Sequence, residues 1–319
     1  MFFVTVNKNK AVGLLLVVIS TLLTLLIAYW VLESAGINIE RQLWLLRNQI
    51  FGLEKVGIWQ DDPIFGWTNK PNGRGRHRKL PDFDVEYHTD KSKHRITSAS
   101  DRLPKILFLG GSFTFGHGVK DNESYPAALQ QKWLHYKIIN AAVNGWGTTQ
   151  ALLKLEEQLK LNNDIRLVVY GFITHHLQRN FLRKSWLEQL MVKRKRRNPY
   201  FKLLNGELVF QGLADNKQHG MPDGAELDAM ELILTLKMLE RMQNLCQARH
   251  ISMLFLYLPD GSYNGLQADF TKIFAQDFFF DIRPVVEYSK IRFVYDYHPT
   301  AEGHRLIAEA IQPVLEKIL

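Results

Sequence analysis

Three near-continuous apolar runs limit what the carboxyl-terminal part of this chain can become. Ile106 to Leu109, Ile165 to Ile173 and Ile251 to Leu258 do not alternate with polar residues, so each predicts a strand buried on both faces. Such strands need helices on either side, and the segments between them supply helical patterns at Tyr125 to His135, Thr148 to Leu161 and Glu226 to Arg249. A short strand at Lys137 to Ala141, a helix from about Gln267 to Ala275, a last strand or extended approach at Ile291 to Tyr295 and a closing helix from Thr300 to Leu319 complete the expected order. Leu306, Ile307, Ala310, Ile311 and Leu315 form the core-facing stripe of that closing helix. The expected class is α/β: a three-layer α/β/α domain over 105–319 whose parallel sheet is joined by right-handed crossovers.

Residues 177–222 interrupt this rhythm. They are basic, and Phe201 to Phe210 around Asn205-Gly206 predicts a hairpin, so the segment reads as an insertion that shapes a pocket or an interface.

The amino end is of another kind. After a short tail, 1–10, the stretch Ala11 to Leu32 runs for 22 residues without a charge. At about 1.5 Å per residue, a helix of that length crosses a hydrocarbon layer of about 30 Å. The run ends in Ala28-Tyr29-Trp30, aromatics suited to the membrane interface, and lacks the small-residue cut site of a signal peptide. An uncleaved single-pass membrane anchor over 11–32 is expected. Ile39, Leu43, Leu46, Ile50 and Leu53 then recur at spacings of three and four, an amphipathic helix within 33–60. Residues 61–104 read as a lead-in, with Phe83 to Thr89 alternating like a half-buried strand.

Charge excludes less than it first suggests. Lys and Arg number 40 against 32 Asp and Glu, a net +8, but much of the excess sits in two runs, Arg74 to Lys79 and Lys193 to Arg197. Neither run is accompanied by zinc-finger spacing, a recognition-helix pattern or an RNA-binding signature. A solvated or membrane-facing basic face is expected, and no nucleic-acid partner. Cys246 is the only cysteine, which rules out an intrachain disulfide and any multi-cysteine metal site.

Chemistry concentrates where strands end. Gly110-Gly111-Ser112 places a hydroxyl just past the first buried run, at the sheet edge where α/β proteins bind ligands. Asp296-Tyr297-His298 offers a base with a neighbouring carboxylate on the same edge, and Asn144-Gly145-Trp146-Gly147 offers a turn whose backbone N–H groups can approach a ligand. Taken singly, each has a plainer reading: Ser112 as a turn cap, His298 as a surface histidine, Gly145 as a turn former.

Together, Gly110 to Gly116, Asn140 to Gln150 and Asp296 to His304 resemble the first, second and last sequence blocks of the SGNH/GDSL hydrolases. The lead-in from Asp62-Pro63 to Asn72 resembles the segment preceding the domain in membrane-anchored members. The resemblance implies the flavodoxin-like SGNH fold, Ser112 as nucleophile, His298 as base, Asp296 as its carboxylate partner, and the N–H groups of Ser112 and Gly145 as oxyanion donors. No cofactor is expected, and no metal: the pair His175-His176 suggests one, but no nearby carboxylate has the spacing of a zinc site. Two departures stand out. Where the family carries Gly-x-Asn-Asp, this chain has Gly171-Phe172-Ile173-Thr174-His175-His176, leaving His175 or Asn180 as candidates for the missing donor; and the last block has Asp-x-His, not Asp-x-x-His. The resulting expectation is a membrane-anchored serine esterase that deacylates a cell-envelope glycan or lipid ester, with its domain periplasmic or extracellular. The alternatives are an O-acyltransferase modifying a surface polysaccharide and a catalytically weakened domain that only binds.

Overall fold

A computed structural model describes residues 8–50, 56–97, 102–194, 196–214, 228–261, 270 and 278–319. The chain divides into two compact units, Met1–Glu54 and Lys55–Leu319. In the first, α1 (Lys8–Ser34) holds the uncharged run; its Leu15–Ser34 span has a mean hydropathy of 2.5 and none of it is buried. By length and composition this helix can cross a membrane. Gly36, at φ +76°, ends it, and α2 (Ile39–Ile50) begins where Asn38 Oδ1 accepts the Arg41 N–H at 2.7 Å. Leu43 and Leu46 are exposed on α2. Its expected continuation to Leu53 lies outside the described residues.

The second unit opens with two antiparallel pairs, β1 (Trp59–Asp62) with β2 (Gly66–Asn69) and β3 (Arg74–Lys79) with β4 (Phe83–His88). The basic run of β3 is largely neutralised by its neighbour. Arg74 pairs with Glu86 at 3.0 Å, while Arg76 at 2.5 Å and Arg78 at 3.3 Å share Asp84. Alternation along β3 sends these arginines outward and buries His77 among Trp59, Phe83 and Tyr87. The lead-in is bound to the rest of the unit by reciprocal bonds. Trp67 Nε1–H donates to Asn144 O and Trp146 Nε1–H donates to Trp67 O, both at 2.9 Å, and Phe65 stacks on Trp146.

Next come β5 (Lys105–Gly110), β6 (Lys137–Asn140) and β7 (Ile165–Phe172), then helix α7 (Lys184–Arg194) and a hairpin of β8 (Pro199–Leu204) and β9 (Glu207–Leu213), then β10 (Ser252–Tyr257) and β11 (Phe279–Asp281). The hairpin turns at Asn205 and Gly206, both at positive φ, as an Asn-Gly two-residue turn requires. The other five strands form one parallel sheet in the order β11–β10–β7–β5–β6. Successive residues of its strands enter opposite cores. Leu107, Leu109, Val168, Tyr170, Phe255 and Tyr257 pack under α5 (Thr148–Leu161) and α8 (Asp228–Gln247). Ile106, Phe108, Leu167, Val169, Leu254 and Leu256 pack under α4 (Tyr125–Lys132) and α10 (Ala301–Ile318). Each such side chain contributes about 1.5–3 kcal/mol when fully buried, which is why neither sheet face tolerates water. The fold is the expected three-layer α/β/α arrangement.

Two expectations need correction or fall outside view. The fifth strand is β11, not Ile291 to Tyr295: Phe278 and Phe279 are buried, whereas Val294 is exposed and Arg292 makes only an isolated bridge to Pro299. Tyr288–Ile291 instead forms the short helix α9. Of the helix expected from Gln267 to Ala275, only Phe270 is described, helical and buried.

Candidate active site

Strand β5 ends in a turn that only glycine fits. A Cβ on Gly110 would lie 2.4 Å from Thr114 Oγ1, and one on Gly111 would lie 2.8 Å from Trp146 O. Ser112 follows as the first residue of α3 (Ser112–Phe115), buried to 5% exposure. At that position its N–H has no acceptor within the helix. The neighbouring turn is tied to it by the Val143 N–H, which donates to Gly110 O at 3.3 Å. Within that turn Trp146 N–H closes onto Val143 O, and Gly145 takes φ +84°, which favours glycine strongly over side-chain-bearing residues.

On the same edge of the sheet, before α10, the chain returns with Asp296 and His298. His298 Nε2 is 2.8 Å from Ser112 Oγ, and His298 Nδ1 is 2.5 Å from Asp296 Oδ1. With Nδ1–H donated to the carboxylate, Nε2 is left to accept the serine hydrogen. The Asp-x-His spacing works because Tyr297 adopts φ +69°, a left-handed turn that brings the flanking side chains together. A non-glycine residue held there costs of order 1–3 kcal/mol, and the surroundings hold it. Tyr288 Oη–H donates to Tyr297 O at 2.6 Å, Arg292 lies over the Tyr297 ring, and Asp82 Oδ2 accepts the N–H groups of Tyr295 and Asp296.

Asp296 is the most heavily engaged group in the site. Lys79 Nζ donates to its Oδ2 at 3.0 Å, and His117 Nε2 faces Oδ1 at 3.3 Å. Burial works to raise its pKa, but His117 and His298 at its Oδ1 prevail and hold it well below the usual carboxylate range. His117 stacks on His298 with ring centroids 4.0 Å apart, and its Nδ1 receives Asn144 Nδ2 at 3.0 Å. Burial first, then the charge of His298, push His117 well below the ordinary histidine value, so it is neutral at pH 7. His117 thus joins the Asp296 carboxylate to the turn that carries Gly145.

His117, Asp296 and His298 present ligand atoms within 4.8 Å of one another. The donor set suits hydrogen bonding better than metal. The 2.5 Å contact leaves no space for an ion between His298 and Asp296, and the Lys79 ammonium occupies the other carboxylate oxygen.

The residues considered for a further oxyanion donor lie apart from that role. His175 is exposed, with Nδ1 3.5 Å from Asp260. Asn180 is buried but committed: Nδ2 donates to Thr148 and Thr235, and Oδ1 accepts the Thr149 N–H. His176, the first buried residue of α6 (His175–Asn180), is the one beside the serine turn. Its Nε2 would be 3.0 Å from a Cβ on Gly111 and has no hydrogen-bond partner among the described residues. Its Nδ1 is 2.8 Å from Tyr170 Oη. Sequence reading missed His176, His117 and Lys79; of these only His176 carried a signal, as half of the pair that replaces Asn-Asp.

A parallel α/β sheet bearing a hydrogen-bonded Ser–His–Asp chain at its carboxyl edge has the geometry that acyl-transfer chemistry uses. No family model and no curated protein matches this sequence. Among the solved structures similar to it are lipolytic proteins of the G-D-S-L family and esterases. TesA is 16% identical, with a TM-score of 0.42 over 67% of this chain and 99% of its own. The psychrotrophic esterase EstA from Pseudoalteromonas sp. is 16% identical, with a TM-score of 0.42 over 67% and 97%. AlinE4, an SGNH-hydrolase family esterase, is 19% identical, with a TM-score of 0.39 over 69% and 99%.

Proposed function

We propose that this protein is a serine esterase of the SGNH type, working through an acyl-Ser112 intermediate on an ester of a cell-envelope glycan or lipid. The observation that carries the reading is the unbroken chain from Ser112 Oγ to His298 Nε2, 2.8 Å, and from His298 Nδ1 to Asp296. Ser112 Oγ attacks the ester carbonyl carbon as its proton passes to His298 Nε2. The C–O bond to the leaving alcohol then breaks, and that oxygen takes the proton from the imidazolium. Water, activated by the same histidine, releases the acid and restores the serine. A sugar hydroxyl in place of water makes the same intermediate an acyl-transfer reagent.

The oxyanion of each tetrahedral intermediate is held by the N–H groups of Ser112 and Gly145. His176 supplies the third donor in this reading, because its buried Nε2 is the side-chain nitrogen without a partner beside Gly111. That role requires the hydrogen on Nε2, so that Nδ1 accepts from Tyr170 and the phenol O–H turns to the ring from Thr148 Oγ1, to which it donates at 2.8 Å. Helix α1 serves as the anchor that keeps the domain at an envelope surface, outside the cytoplasm. Exposing the full chain in detergent to a fluorophosphonate and mapping the adduct tests the assignment: the label belongs on Ser112 and disappears in Ser112→Ala.

A further inference from the structure

Lys79 does not belong to the sequence blocks that suggested a hydrolase. It stands at the end of β3, in the lead-in, 217 residues from the aspartate it meets. Its ammonium donates to Asp296 Oδ2 at 3.0 Å, and both side chains are withdrawn from water, 15% and 4% exposed. Cross-strand acids of β4 occupy the arginines of the same strand, so the pairing of Lys79 with the site is not shared by its neighbours. On the far oxygen the same carboxylate receives His298 and faces His117. A surface ion pair at that distance is worth little, but here neither partner is freely hydrated and the nearest titrating base is one carboxylate away.

We propose that Lys79 is a positioning residue of the site: its ammonium, held on Oδ2, fixes the orientation of the Asp296 carboxylate whose other oxygen receives His298. This rests on the acyl-serine reading for its catalytic meaning, but not for its geometry. The lead-in therefore sets the angle at which the carboxylate presents the histidine to Ser112. Other groups face the cluster. His77 from β3 lies against His117 and bonds the Tyr87 phenol of β4, Asp82 accepts the Asp296 N–H, Tyr288 comes from α9 and His304 from α10. None of these is a cation on the carboxylate; Lys79 is, among the described residues.

The test follows the His298 Nδ1–H proton by NMR in the full chain in detergent with nitrogen-15-labelled histidine, the resonance assigned by its loss in His298→Asn. Lys79→Met and Lys79→Gln are expected to displace or broaden that signal, and Lys79→Arg to leave it in place. For a short aryl ester, kcat falls about ten- to a hundredfold in the first two variants with KM unchanged, and the arginine variant restores it. The glutamine variant keeps a donor toward Asp296 without the charge, so it separates charge from packing if the methionine variant folds poorly. An unmoved Nδ1–H signal in folded Met and Gln variants overturns the proposal. Failure of fluorophosphonate to label Ser112 overturns the esterase reading instead, and the Nδ1–H signal still decides the role of Lys79.

Discussion

Replacing Arg95 with methionine removes the guanidinium that locks the lead-in onto the segment after Ser112. Arg95 is 1% exposed and makes four short hydrogen bonds: Nε–H to Asp121 at 2.8 Å, Nη1–H to Phe115 O and Gly116 O at 3.0 and 2.8 Å, and Nη2–H to Val119 O at 2.8 Å. The group also lies between the Tyr87 and Phe115 rings, 4.4 and 4.5 Å from their centroids. Methionine fills much of the volume but leaves three carbonyls without this donor, while Asp121 keeps His88. Breaking a buried, hydrogen-bonded charge costs about 3–5 kcal/mol, and residual packing by the thioether places this variant at the lower end, about 3 kcal/mol. For a domain of this size that is a fall in Tm of about 6–12 °C. The assay is thermal unfolding of the full chain in detergent at pH 7.5, with aryl-ester turnover measured well below the transition. Because the same carbonyls flank His117, kcat falls as well. A Tm within 2 °C of the parent would refute the reasoning, since it would mean the carbonyl cluster is satisfied without Arg95.

Other substitutions test the site directly. Asp296→Asn keeps the shape but reverses one hydrogen-bond partner of His298, and the expected loss in kcat is about 10³- to 10⁴-fold with folding retained; stopped assays at saturating ester give the number. His176→Phe keeps the buried ring and removes its nitrogens, so kcat falls about 10²- to 10³-fold with KM nearly constant, and Tyr170→Phe produces part of the same loss; full activity in both variants removes His176 from the oxyanion site. Stability depends on pH through buried histidines. Burial holds His94, His117, His176 and His304 below the ordinary value of 6.5, His304 to about 3, so the unfolded chain binds more protons than the folded one as pH falls through 6.5. Stability is therefore full above pH 7 and declines below 6.5 by up to about 1.4 kcal/mol per pH unit per histidine, a fall that Tm measured from pH 7.5 to 5 will show. A flat Tm over that range contradicts the burial of these rings.

The strand and helix order was legible because buried parallel strands write themselves as apolar runs: β7 and β10 lie within one, and β5 passes its own by a residue at each end. Strand β11 was not: three residues at a sheet edge give no periodicity, and the stretch at Ile291 to Tyr295 looked more strand-like while being mostly half-buried. Ser112, Asp296 and His298 could be named in advance because each stands just past an expected strand, Ser112 after two glycines and Asp296 two residues before His298. That they meet at hydrogen-bonding distance depends on a left-handed Tyr297, which no propensity of tyrosine foretells. Lys79 and His117 were illegible for a plainer reason. Lys79 looked like one charge in a basic run, and only the pairing of β3 with β4 shows which positions face acids on the surface and which one reaches the carboxylate. His175 and Asn180 were reasonable candidates by position; helix α6 turns His176 inward between them.

The central claim is that Ser112 is an activated nucleophile at the edge of this sheet. Its most direct test is peptide mapping of the full chain after brief exposure to a fluorophosphonate at pH 7.5. The account expects one adduct, on Ser112, absent in Ser112→Ala and slowed at least a hundredfold in His298→Asn. Labelling that is absent from the parent, or unchanged in either variant, would contradict it.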